Sequence, residues 1–380
     1  MIYLDNAATT YPKSENVYKA IDDANHKLAV NAGRGSYKKA REAEALIEET
    51  RTLLLKTVNS TGKAILTPSA TIALNIIING LNINIGDTVY VSPYEHNAII
   101  RTLYLIKSKT DINIVELPLD KKTLELDLKA VEYEFAKNKP SYVFISHVSN
   151  VTGYVQPVEE IFNLSKGYGA INVMDASQSF GLIDIDAGSI KADFIVFAGH
   201  KTIYGPFGAA GFIDNGSVEL KLTCVGGTGS DSLNYDMPET SPGRYEAGSK
   251  DIVAIAGLNA ALKELNVAEA YKKEKELTMY LIEKLKELDG VKMYIPSNYI
   301  DNHIGIVSLN VEGYKAEDIG MILDEDYDIA VRTGYHCAPL IHKYLDEQDH
   351  LGTVRISLGK FNSKEDIDAL IENLEDMLDE

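Results

Sequence analysis

The chain has 380 residues, enough for two or three domains that each bury a sizeable core. Its 37 lysines and arginines against 56 aspartates and glutamates leave a formal charge of −19. That excludes a nucleic-acid backbone or an anionic membrane as main partner, because both reward basic surface.

Hydrophobic residues make up 45% of the chain and charged ones 24%, an ordinary globular balance that argues against disorder. The two cysteines, Cys224 and Cys337, allow one bridge at most, which fits a reducing, cytoplasmic setting. The opening run MIYLDNAATTYPKS has neither the basic stretch nor the apolar stretch of a secretory signal. No segment approaches the ~18 uninterrupted apolar residues of a membrane span.

In chain order, the first strong pattern is helical: Ala43, Leu46, Ile47, Thr50, Leu53 and Leu54 share one face between residues 38 and 58. Short β-branched runs then alternate with helical stretches. They are TVYVS (88–92), INIVEL (112–117), YVFIS (142–146), INVM (171–174) and FIVFA (194–198). Several are apolar on both faces, as expected of strands in a mostly parallel sheet covered by helices. The helical stretch 158–166 between two of them completes a βαβ unit.

The texture changes after residue 260. A long charged helix is expected over 267–288, followed by the strands GIVSLNV (305–311), AVRTG (330–334) and VRISL (354–358). A closing helix is announced by Ser363 and Asp366 at capping-box spacing and an apolar stripe from Ile367 to Leu378. The chain therefore divides into a large α/β domain over 15–260 and a smaller α+β domain over 261–380, with residues 1–14 packing against the smaller one.

Chemistry-bearing residues follow the strands directly. TVYVS leads to Glu95-His96-Asn97, YVFIS to His147 and Asn150, INVM to Asp175 and Gln178, and FIVFA to Gly199-His200-Lys201. Ligands of open parallel sheets bind beyond the carboxyl ends of the strands, so these groups converge on one crevice. Alone, Asp175 reads as a turn residue, His96 as a capping or packed histidine and Lys201 as a solvated lysine. Together they match what a Schiff-base cofactor needs: an amine, a carboxylate for a pyridine nitrogen, and a flat group against the ring.

Other motifs fail. Gly199-His200-Lys201-Thr202 lacks the first glycine of a phosphate-binding P-loop, and VGGTGSDS (225–232) does not fit a dinucleotide fingerprint, so it reads as a flexible loop. His336, Cys337, His342 and His350 lack zinc-type spacing, so no metal is expected.

YLDNAATT (3–10), TPSATIALN (67–75), EHNA (95–98), HVSNVTG (147–153), DASQSFG (175–181), GHKTIYGPFG (199–208), YEAGS (245–249) and RTGYHCAP (332–339) occur in this order. Together they resemble the cysteine desulfurases of the class V aminotransferase group, which are fold-type I pyridoxal-phosphate enzymes. The likeness runs from residue 1 to beyond Gly359. It implies a large domain with a mostly parallel seven-stranded sheet and a smaller carboxyl-terminal α+β domain.

It also implies roles. Lys201 would carry pyridoxal 5'-phosphate as a Schiff base and then move protons. Asp175 would pair with the pyridine nitrogen, His96 would stack on the ring, and Gln178 would hydrogen-bond the phenolate oxygen with Asn150 nearby. Ala70 and Thr71 would hold the phosphate at a helix start, helped by His200. Ser249 would reach the phosphate of a neighbouring subunit, which makes a homodimer. Arg355 would grip the carboxylate of a small amino-acid substrate, with Arg34 as a second anion contact. Cys337 would take the sulfur as a persulfide, favoured by the positive groups His336 and Arg332, and pass it to an acceptor protein. Cys224, in the apolar LTCVGG, reads as a buried, inert thiol.

Two positions depart from the family pattern. Ala198 stands where a phosphate-binding serine is frequent, and Ser249 where a threonine is usual. The compact 332–339 loop resembles the group that includes selenocysteine lyases. Selenocysteine and cysteine sulfinate therefore stand beside cysteine as substrates, as does a class V aminotransferase reaction that leaves Cys337 unused.

Overall fold

The β-branched runs of the first two-thirds of the chain assemble into one seven-stranded sheet in a computed structural model that describes residues 1–33, 35–229 and 233–379. Across the sheet the strands are Lys63–Thr67, Ala210–Asp214, Phe194–Ala198, Ile171–Asp175, Tyr142–Ser146, Thr88–Val91 and Asn113–Glu116. Only Ala210–Asp214 runs against its neighbours; the other pairings are parallel. This is the expected mostly parallel α/β architecture.

Strands Tyr142–Ser146 and Phe194–Ala198 are buried at every residue. Alternate side chains enter different apolar clusters. Val143, Ile145, Ile195 and Phe197 pack on one side, and Phe144, Phe194 and Val196 on the other. The two-residue period of a strand thus fills two cores at once, which is why these runs lack polar alternation.

A second, four-stranded antiparallel sheet runs Val291–Tyr294, Ile306–Val311, Thr353–Ser357, Arg332–Gly334. Helices Val267–Leu285 and Lys364–Asp379 contribute Leu277, Leu281, Leu370 and Leu374 to its apolar cluster. The expected capping box is present. The Ser363 amide donates to Asp366 Oδ2 at 3.1 Å, and the Asp366 amide to Ser363 Oγ at 3.4 Å.

The amino-terminal residues touch both sheets. Ile2–Tyr3 pairs with Ile329–Ala330, Leu4 joins the apolar cluster of the second sheet, and Asp5 bridges Ser357. Further on, the Thr9 and Thr10 hydroxyls donate to the His200 carbonyl at 3.0 and 3.2 Å.

Three expectations change. The run expected as one strand over 330–334 is two, because the chain changes partner at Val331: Ile329–Ala330 pairs with the amino terminus and Arg332–Gly334 with Thr353–Ser357. The helix expected to reach Leu288 ends at Leu285, although Leu288 still packs in the same cluster. Cys224 is exposed, not buried, because its apolar neighbours Leu222 and Val225 lie outside any strand and are exposed with it. Residues 225–229 of the glycine-rich run are irregular, and 230–232 lie outside the described residues. Among the described residues, no helix is long and apolar enough to cross a membrane.

Candidate active site

The carboxyl ends of the parallel strands open onto a cavity of about 220 Å³. From the large sheet it receives His96, Asn150, Asp175, Gln178, His200 and Lys201, together with Ala70 and Thr71 at a helix start. From the second sheet and its loop come Arg332, His336, Cys337 and Arg355, and from the amino terminus Ala7 and Ala8. Twelve of the positions singled out above therefore meet in one place.

Lys201 sits on a tight turn after Phe194–Ala198. A side chain on Gly199 would place its Cβ 2.2 Å from the Ala209 carbonyl oxygen, so glycine is required for that close approach. Removal from water lowers the Lys201 amine to about 8, against the pull of Asp175, with Arg355 and Arg332 adding to the lowering. Asp175 is oriented by the Ser177 amide, which donates to its Oδ1 at 2.9 Å.

His96 does two things. Its Nδ1 accepts the Ala98 amide at 3.0 Å and caps helix Asn97–Lys107, while its ring faces the cavity. The cap places the ring proton on Nε2. Burial, then Lys201, lowers His96 to about 4, so the ring is neutral. Burial likewise lowers His200 to about 4, with Lys201 and Lys13 contributing, and Phe207 stacks on it at 4.5 Å. Gln178 Nε2 donates to the Ala7 carbonyl at 2.8 Å, which leaves its second N–H for a ligand.

Helix Ala70–Gly80 begins at the cavity wall. Ser69 caps it by accepting the Ile72 amide, and the Ala70 and Thr71 amides precede the first intrahelical acceptor. Such an end binds anions. Ala198 lines the same cavity and offers no hydroxyl.

On the opposite wall, Arg355 is buried. Its Nη2 lies 2.6 Å from Asp5 Oδ1 and its Nη1 donates to the Asn150 carbonyl at 3.0 Å. Asn150 in turn donates its Nδ2 to the His336 carbonyl at 2.7 Å. Cys337 is exposed, with Arg332 Nη2 3.7 Å from its Sγ.

His336 does not add positive charge beside that thiol. It is buried with Nε2 against Thr353, and loss of water pushes it well below its ordinary value, so the ring is neutral. Arg332 is the cation in contact with the thiol. Ser249 lies outside the cavity. It borders a separate depression of about 810 Å³ that also touches Ile72 and Asn75 on helix Ala70–Gly80. Arg34 lies outside the described residues.

Sequence reasoning missed Ser69, Ser177 and Asp5. Ser69 carried the signal of a helix cap; Ser177 and Asp5 lay inside quoted motifs with nothing local to mark them. Ser177 matters because its Oγ, with His200 Nδ1, His336 Nδ1 and Arg355 Nε, is shut off from water and has no protein partner. All four residues line the cavity. Buried polar atoms are normally satisfied, so the set fits a polar ligand. An anionic group at the helix start, a flat ring against His96 and an aldehyde within reach of Lys201 suit these donors.

A family model described as aminotransferase class-V matches residues 2–370. A probable cysteine desulfurase of Halalkalibacterium halodurans is 33% identical over 387 residues, covering 99% of this chain and 92% of that protein. A probable cysteine desulfurase of Pyrococcus abyssi is 32% identical, covering 100% of this chain and 94% of its own. Among solved structures, the apo cysteine desulfurase of Thermococcus onnurineus NA1 superposes with a TM-score of 0.91 at 29% identity, covering 100% of this chain and 94% of that one.

Proposed function

Because the chain belongs to the class V aminotransferase family, in its cysteine desulfurase group, we propose that it converts L-cysteine to L-alanine and keeps the sulfur on Cys337 for transfer to an acceptor protein. The observation that carries this reading is an exposed Cys337 thiol, beside Arg332, on the wall of the cavity that holds Lys201.

Pyridoxal 5'-phosphate, when bound, supplies an electron sink for the substrate's α-carbon. The residues divide the rest of the work. Lys201 Nζ, lowered to about 8, holds the cofactor and then accepts and returns a proton near neutral pH. The Ala70 and Thr71 amides and His200 hold the phosphate. Asp175 would pair with the ring nitrogen, the neutral His96 ring would pack on the cofactor, and Gln178 would donate its second N–H to the phenolate. Arg355 receives the substrate carboxylate, with Asn150 fixing both Arg355 and the Cys337 loop.

The Cys337 thiolate attacks the substrate sulfur. An S–S bond forms as the C–S bond breaks, the electron pair stays with the carbon fragment, and protonation there gives alanine. No external oxidant or reductant is needed for that half of the cycle.

Three further readings rest on the same base. Residues 15–260 form the cofactor-binding unit and 261–380 the unit carrying the thiol and the carboxylate grip, with 1–14 packed on the latter; the separate seven-stranded and four-stranded sheets support that division. Ser249, outside its own cavity and beside helix Ala70–Gly80, reaches the phosphate of a second copy in a homodimer. A reducing cytoplasm suits a free, exposed catalytic thiol.

The test is product analysis. Cofactor-loaded protein with L-cysteine and a thiol reductant yields alanine and sulfide in equal amounts. Cys337→Ser keeps the visible cofactor band and loses both products. Normal desulfuration by that variant, or a keto acid made with an amino acceptor, refutes the assignment. Selenocysteine and cysteine sulfinate assayed alongside decide the preferred leaving atom, because selenolate departs with less help from Cys337.

A further inference from the structure

Among the described residues Arg355 has one charged partner in direct contact, and it comes from the far end of the chain. Asp5 Oδ1 lies 2.6 Å from Arg355 Nη2, across 350 residues of sequence. The carboxylate is not free to wander. Its residue bridges Ser357, two positions along the strand from Arg355, and the flanking backbone is held on both sides. The Leu4 amide donates to the Ala330 carbonyl at 2.9 Å, and the Ala7 amide to Ser357 Oγ at 2.9 Å.

A guanidinium has five N–H groups in a rigid plane. Asp5 takes one on Nη2 and the Asn150 carbonyl takes one on Nη1. Two contacts on different terminal nitrogens fix the plane of the group. Nε is left shut off from water without a protein partner, on a residue that lines the cavity.

Asp5 also offsets a local excess of positive charge, since Arg355, Arg332 and Lys201 line the same cavity. Charge balance alone would be met by a carboxylate anywhere near. The backbone clamps on Leu4 and Ala7 are what a positional role requires and a charge role does not.

We infer that Asp5 is a positioning residue for substrate: it holds the plane of the Arg355 guanidinium so that its unpartnered N–H groups meet an α-carboxylate without rearrangement. The amino-terminal segment is thereby part of the substrate site, and the site selects amino acids with a free carboxylate over their esters. The inference rests on the reading that Arg355 receives the substrate carboxylate.

The experiment is steady-state kinetics of the cofactor-loaded enzyme and its Arg355→Lys, Asp5→Asn and Asp5→Glu variants, on L-cysteine and L-cysteine methyl ester. Arg355→Lys raises KM for cysteine; if it does not, the reading of Arg355 fails, whatever Asp5 does. With that established, Asp5→Asn raises KM for cysteine about tenfold, changes kcat less than threefold, and leaves KM for the ester within twofold. Asp5→Glu keeps the charge but moves it by one methylene. A positional role predicts that its KM for cysteine rises about threefold, and a charge-only role predicts no change. The Glu variant carries the test if the Asn variant does not accumulate folded. An unchanged KM for cysteine in the Asp5 variants, or an equal rise for cysteine and ester, overturns the inference.

Discussion

The Asn97 amide donates to the Cys337 carbonyl at 2.7 Å. Asn97 is the first residue of the helix that His96 caps, so a single helix end places both a cavity-lining histidine and the thiol. The tether matters because His336 and Cys337 both adopt left-handed backbone, with φ of 46° and 57°. Non-glycine residues held there cost of order 1 kcal/mol or more each unless their surroundings fix them.

Replacing Asn97 by proline isolates that hydrogen bond. Proline is well tolerated at the first position of a helix, and His96, at φ −69° and ψ 153°, already has the extended backbone that a following proline demands. Asn97→Pro should therefore fold and bind cofactor. It should also slow sulfide release from cysteine about tenfold, as the Cys337 loop loses a hydrogen bond worth about 1 kcal/mol and its position. Asn97→Ala, which keeps the amide, is the control and should stay within about threefold of the parent. Equal rates for both variants would show that the tether does not position the thiol.

What the sequence shows and what it hides divide along the range of the interaction. The five β-branched runs and the polar residues at their ends are local patterns, and they led to the large sheet and to one wall of the cavity. The opposite wall is made by contacts between distant segments. Nothing near Asp5 announces Arg355, nothing near Asn97 announces Cys337, and the partner change at Val331 depends on where the amino terminus lies. His336 reads as a cation beside the thiol until Thr353 is seen to take its Nε2 and burial its charge. Cys224 sits in an apolar run that the sheet never recruits.

On the proposed role of Lys201, its amine should set the pH range of cofactor capture. Only the neutral amine adds to an aldehyde, and with the amine at about 8 roughly a quarter is neutral at pH 7.5, against about 0.1% for an ordinary lysine. Capture of pyridoxal phosphate by the apo protein, followed by visible absorption, should rise nearly tenfold per pH unit below 7.5 and level off above about 8. A rate that keeps rising to pH 10 would mean that the amine is not lowered. Lys201→Ala should show no band at any pH.

Gly199 is the backbone counterpart of that lysine. An added Cβ meets a carbonyl oxygen at 2.2 Å, and a carbonyl in the Gly199–Ala209 pairing cannot swing away as a side-chain tip can. Gly199→Ala should displace His200 and Lys201 together, destabilise the protein by about 2 kcal/mol and weaken cofactor retention. Thermal unfolding and cofactor content after dialysis measure the two effects. Full retention with an unchanged melting point would show that the turn has slack.

Glu274 makes the chain's stability fall as pH rises. It lies on helix Val267–Leu285 beside a small cavity of about 20 Å³ that also touches Gln178 and Tyr204, and burial pushes its carboxyl up to about 8. In the unfolded chain the same group titrates near 4.5. Below that value both states hold the proton, and the group is neutral in its effect. Between 4.5 and 8 the native state keeps the proton that the unfolded state has lost, so raising pH favours unfolding across that window. Glutamine has the shape of the protonated acid and no such dependence. Glu274→Gln should match the parent's melting point near pH 5 and exceed it by roughly 2–5 °C at pH 8. Subtracting the parent's curve from the variant's removes the contribution of Glu95, which burial also pushes to about 8. A difference that stays flat from pH 5 to 8 would mean that Glu274 ionises in the native protein as readily as in the unfolded chain.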